Sequence, residues 1–152
     1  MLLALIVWVG GLIFFNVVAG TAFSVLPSTH LAGLVVRHTL IILNWMGIVS
    51  GATFLGSSAL YNRVAHKPAQ VLSIRHLLVL LMLALTSISQ FWIIPRMDRL
   101  RESLGDVAAA AIDNPLRMQF DALHVWSTWA VEGGLFLGLL VAYLTARQFN
   151  AN

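Results

Sequence analysis

Four long runs of apolar residues, separated by short polar breaks, dominate the chain. A helix that crosses a bilayer needs roughly 20 such residues, so the pattern predicts four membrane spans that use up nearly all of the sequence. The first run, Leu2 to Val25, stops at Leu26-Pro27-Ser28, where proline bars continuation and Ser28 or Thr29 can cap the next helix. The second starts near Leu31 or His38 and reaches Tyr61, and the third runs from Ser73 to Ile94 with Pro95 as its expected exit. Between Arg96 and Pro115 charged residues mix with Met97, Leu100 and Leu104, which predicts a short amphipathic helix lying in the interface; Val107 to Ile112 is alanine-rich and reads as helical. Asn114-Pro115 then punctuates, and the fourth span covers about Met118 to Thr145. The expected architecture is all-α: a single four-helix transmembrane bundle over residues 1–152.

Composition strengthens this picture. Residues are 59% hydrophobic and 10% charged, with a mean hydropathy of +0.87, whereas soluble domains carry about 25% charged residues. The opening Leu2-Leu3-Ala4-Leu5 lacks the basic stretch of a secretory signal, so a retained span is expected. Without cysteine, disulfides, thiolate metal sites and a cysteine nucleophile are excluded. The net charge of +3 comes from lysines and arginines scattered over the loops. No basic run favours nucleic acid, and the lipid bilayer is the expected partner. Arg63, Lys67, Arg75 and Arg147 fall on the side of the termini; Arg37, Arg96, Arg99, Arg101 and Arg117 fall on the other. The positive-inside count is nearly tied, and the basic loop Asn62 to Gln70 tips it toward cytoplasmic termini in a bacterial inner membrane.

Chemistry concentrates in the fourth span. Glu132 is a lone carboxylate there, and a charge at bilayer depth costs at least ~2.5–3.5 kcal/mol, so it is expected to face protein or a water-filled cavity. At about 100° per residue, His124, Ser127 or Thr128, Val131, Gly134 and Gly138 share one small and polar face. Glu132 flanks that face, and Asp121 sits one turn before His124, placed to orient its imidazole. A buried hydrogen-bond network that fixes helix register explains these residues equally well. A sharper alternative pairs His124 with His38: each lies about seven residues into a helix entering from the same side, the placement axial haem b ligation needs. Copper or another transition metal would draw on His124, His38 and His30. His66 and His76, at the opposite end, read as interfacial hydrogen-bonders.

Asn16, Asn44, Thr86, Ser87, Ser89 and Gln90 are expected to turn inward toward one another. Most of the tryptophans, Trp8, Trp45, Trp92, Trp126 and Trp129, read as interface anchors. The pairs Gly47/Gly51 and Gly134/Gly138 let helix backbones approach, inside the bundle or across a homodimer seam. No phosphate-binding glycine loop, zinc-binding His-Glu-x-x-His or Ser-His-Asp arrangement is present, which argues against hydrolytic catalysis.

Trp8-Val9-Gly10-Gly11 leading to Phe14-Phe15, Phe23-x-x-Leu26-Pro27, Ala32-Gly33, Ile94-Pro95-x-Met97-x-x-Leu100 and Phe120-x-x-Leu123-His124-x-x-Ser127 follow one another in a recognisable order. This order resembles the transmembrane protein 205-like proteins, whose bacterial members form a domain-of-unknown-function family, over most of the chain. More distantly the chain is similar to CopD-like four-span proteins, a group that includes copper-resistance proteins and a haem-associated protoporphyrinogen oxidase. The resemblance implies a four-helix membrane bundle with His124 as the motif histidine. Two departures stand out: Gly20-Thr21 replaces an Ala-Pro step, and Val131-Glu132 stands where a polar amide is usual. Three functions follow as expectations: haem or metal binding with Glu132, Asp121, Ser127 and Thr128 around the ligand; transport of a small solute or metal ion as an oligomer with Glu132 as a proton or cation site; or a structural subunit of a membrane complex.

Overall fold

The computed structural model describes residues 1–64 and 73–149. The expected loop residues His66 and Lys67 lie outside the described residues. Helix α1 covers Leu2–Val25, α2 Thr29–Val64, α3 Ile74–Ile88, α4 Ile94–Leu104 and α5 Pro115–Phe149, with a π-helical segment, Ser89–Ile93, joining α3 to α4. Among the described residues four helices, counting α3 to α4 as one, are long and apolar enough to cross a membrane.

Helix starts follow local capping chemistry. The Ser28 hydroxyl accepts the Leu31 amide at 3.2 Å, so α2 begins at Thr29 without a separate interfacial piece. The Asn114 side chain likewise accepts the Leu116 amide at 2.9 Å. With Pro115 as first helical residue, this moves the start of the fourth span upstream of Met118.

Two sequence expectations are corrected between the third and fourth spans. No separate interfacial helix exists there: α4 continues the third span past Pro95. A proline ring collides with the carbonyl four residues back in a regular helix. Here the backbone widens just before it, the Ile94 amide reaching the Ser89 carbonyl five residues earlier, and the helix passes through. The alanine-rich stretch 107–112 is a series of turns instead of a helix. Gly105, at φ +69°, terminates α4 in a conformation that favours glycine. Asp106 then caps the Ala108 amide at 3.0 Å, and the Arg117 side chain takes the Ala110 carbonyl. So short a segment, with its backbone groups already committed, has no room to nucleate a helix.

The helices form a ring: α1 packs on α2 and α5, α3 packs on α2 and α5, and α4 packs on α5. The half of the bundle near the termini is filled by Trp8, Phe54, Val79, Met82 and Val141, all essentially inaccessible. Trp8 is thus a core residue and not an anchor; its indole lies where a side chain on Gly47 or Gly51 would stand. A Cβ on Gly47 would come within 2.5 Å of the Trp8 ring, one on Gly51 within 2.6 Å of Leu83, and one on Gly138 within 2.7 Å of Val9. Gly47, Gly51 and Gly138 therefore serve close approach inside the bundle.

Candidate functional site

The opposite half of the bundle is not filled. A cavity of about 440 Å³ lies among α1, α2, α4, the turns after Gly105 and α5. Phe15, Leu40, Ile94, Phe120 and Val131 form its buried apolar walls.

Its outer end is built from charges that the fold brings together from distant parts of the chain. Arg37 of α2 forms a two-pronged contact with Asp98 of α4, Nε and a terminal nitrogen each donating to a carboxylate oxygen at 2.5 Å. Arg101 lies 3.6 Å from the same carboxylate and over the Phe120 ring, 5.3 Å from its centroid. Arg117 sits 3.8 Å from Asp121, and His30 sits 3.8 Å from Asp106. These contacts hold α4 against α2 and α5, and they give the charged face of α4 partners inside the bundle.

Of the residues expected to carry chemistry, His124, His30, Asp121, Ser127, Thr128 and Glu132 all line this cavity. Ser127 is buried, while His124, Asp121, Thr128 and Glu132 are exposed along the open flank of α5. His38 is not among the lining residues. It is exposed, with Nδ1 2.8 Å from the Leu34 carbonyl of its own helix, and so does not meet His124 across the cavity. Because α2 runs unbroken from Thr29, its inward stripe is Gly33, Val36, Arg37 and Leu40, and His38 falls beside it. Asp121 is engaged with Arg117 and, among the described residues, makes no hydrogen bond to His124.

Glu132 stands apart. Among the described residues it has neither a hydrogen bond nor an ion pair. It shares the cavity with Asn16, whose amide donates to the Leu12 carbonyl at 3.1 Å. Below the cavity three of the expected inward polar residues meet: the Asn44 amide donates to Ser89 at 3.3 Å and to Gln90 at 3.2 Å. The π segment turns those two acceptors toward α2. At the far end His76 lies between Ser58, 2.6 Å from Nε2, and Ser73, 3.0 Å from Nδ1. Ser58 is 4% exposed, so this cluster clamps α2 to α3 and offers no reachable nucleophile.

Arg37 and Asp98 were not legible as a pair, being 61 residues apart. A usable signal existed on one side only: the helical spacing Gly33, Val36/Arg37, Leu40, Leu43/Asn44 puts Arg37 on the inward stripe. Among the described residues no three of histidine, aspartate and glutamate gather as metal ligands.

Fold and site together define a polytopic four-helix membrane bundle with a charged-mouthed cavity in one half. Residues 3–106 match the family model described as a domain of unknown function, DUF4149, and the chain belongs to that family. No curated protein and no solved structure matches the chain.

Proposed function

We propose that the chain binds a small cationic solute in this cavity and moves it across the membrane, with Glu132 as the cation-binding carboxylate. The observation that carries this reading is that Glu132 lines the cavity without any partner among the described residues. An ionised group at bilayer depth is costly unless something neutralises it, and unpaired acids there commonly mark ion or substrate paths. The three arginines lining the cavity share two aspartates, Asp98 and Asp121, and none of them forms an ion pair with Glu132. A bound cation does.

Counterflow of organic cations into liposomes holding the purified chain tests this. Glu132→Gln is expected to reduce uptake to the protein-free background while leaving thermal stability undiminished, because no contact within the bundle is lost. Flux that persists unchanged in the variant removes the role.

A second reading, haem or transition-metal binding through His124, has one observation in its favour: His124 and His30 line the same cavity. The distant resemblance of the sequence to CopD-like proteins, a group that includes a haem-associated oxidase, is its other motivation. Its donor set is thin, since His38 lies outside the cavity. Chain purified in mild detergent is expected to show no Soret band and no stoichiometric copper by elemental analysis. A Soret band lost in His124→Ala but kept in His76→Ala would favour haem instead.

A further inference from the structure

The cavity is open sideways. Helices α1 and α5 are close where a side chain on Gly138 would meet Val9 and one on Gly134 would meet Leu12. Toward the other end they line opposite sides of the cavity, with Asn16, Ala19 and Phe23 on α1 facing Thr128 and Glu132 on α5. Apart from half-buried Ala19, these flanking residues are exposed, Phe23 to 49%, so the gap between the two helices is not sealed by protein. Both helices are long and apolar enough to cross a membrane, so a gap between them opens onto acyl chains.

We propose that the molecule admitted here is a lipophilic organic cation with an aromatic body, which enters from the bilayer between α1 and α5 and pairs its charge with Glu132. This rests on Glu132 being the cation site. Charge, surface and access each narrow the class. Three arginines line the cavity against four carboxylates, Asp98, Asp106, Asp121 and Glu132: Arg37 and Arg101 share Asp98, Arg117 sits beside Asp121 and His30 beside Asp106, which with neutral histidines leaves one carboxylate in excess. The uncompensated charge is negative. The walls include Phe15 and Phe23, whose rings can attract a cation, while Arg101 already lies over that of Phe120. The volume of about 440 Å³ falls within the range of roughly 300–1,000 Å³ of sites that enclose drug-sized molecules. A hydrated metal ion does not travel through acyl chains, whereas a cation with delocalised charge and an apolar shell does.

Binding of tetraphenylphosphonium to the full chain in nanodiscs of zwitterionic lipid, with tetraphenylborate as the probe of equal shape and opposite charge, tests the proposal. Saturable binding of the cation is expected, with the borate weaker by about tenfold or more. Glu132→Gln is expected to weaken cation binding by about tenfold or more, the loss that follows removal of one charge-assisted contact. Ala19→Trp, which fills the gap without touching the carboxylate, is expected to do the same and provides a second variant should the first fail to fold. Equal binding of both ions, or binding that survives both substitutions, overturns the proposal. Glu132-dependent binding of tetramethylammonium with none of tetraphenylphosphonium overturns the lipophilic class but leaves the cation site standing. Absence of binding by either cation overturns both.

Discussion

Trp8→Ala is expected to destabilise the bundle by about 3 kcal/mol, the lower end of the range for truncating a buried tryptophan. The lower end applies because lipid tails solvate apolar groups about as well as the core does, so the loss is one of packing contacts and not of transfer from water. Trp8 is 2% exposed and fills the space above two glycines of α2, neither of which can reach into the void it would leave. Trp45, 50% exposed, is the matched control, and its replacement by alanine is expected to cost under ~1 kcal/mol. Equilibrium unfolding in mixed micelles measures both. Equal losses in the two variants would mean that α1 and α2 do not meet through Trp8.

Asp98→Ala is expected to cost about 2–3 kcal/mol, and more than Arg37→Ala. One carboxylate serves two guanidinium groups, Arg37 at 2.5 Å and Arg101 at 3.6 Å. Removing it strands both cations beside an apolar cavity, whereas removing Arg37 leaves Asp98 with Arg101. The estimate is set below the ~3–5 kcal/mol seen on breaking fully buried pairs because the Arg37 and Asp98 side chains keep 28% and 24% exposure. A double-mutant cycle should show a favourable coupling between Arg37 and Asp98. Zero coupling, or Arg37→Ala as the costlier change, would show that α4 is not anchored through this carboxylate. The substitution should also loosen the mouth of the cavity, so cation binding should weaken in Asp98→Ala although Glu132 is untouched.

These two contacts differ in how far they could be read beforehand. Small residues at Gly47 and Gly51 advertised a close approach, but nothing in the spacing named the indole of Trp8 as the group that arrives. The Arg37–Asp98 pair was hidden twice over. Asp98 belonged to a stretch expected to leave the bundle at Pro95, and the π segment that carries the helix past that proline is met by Asn44 of another helix, which donates to Ser89 and Gln90. His124 and Glu132 were legible because a polar residue in an apolar run is conspicuous whatever surrounds it. His38 looked equivalent by depth, yet depth says nothing of direction around the helix axis.

The amino-acid order alone determined the number of spans, the cap at Ser28 and the polar ribbon along α5, because hydropathy, capping and helical period are local properties. Only the tertiary structure decided that α4 continues the third span, that the arginines find aspartates and that Glu132 has no partner among the described residues. The reason is that each of those outcomes is a competition among groups on different helices, settled by which side chains the packing of Trp8 and the glycine pairs brings within reach.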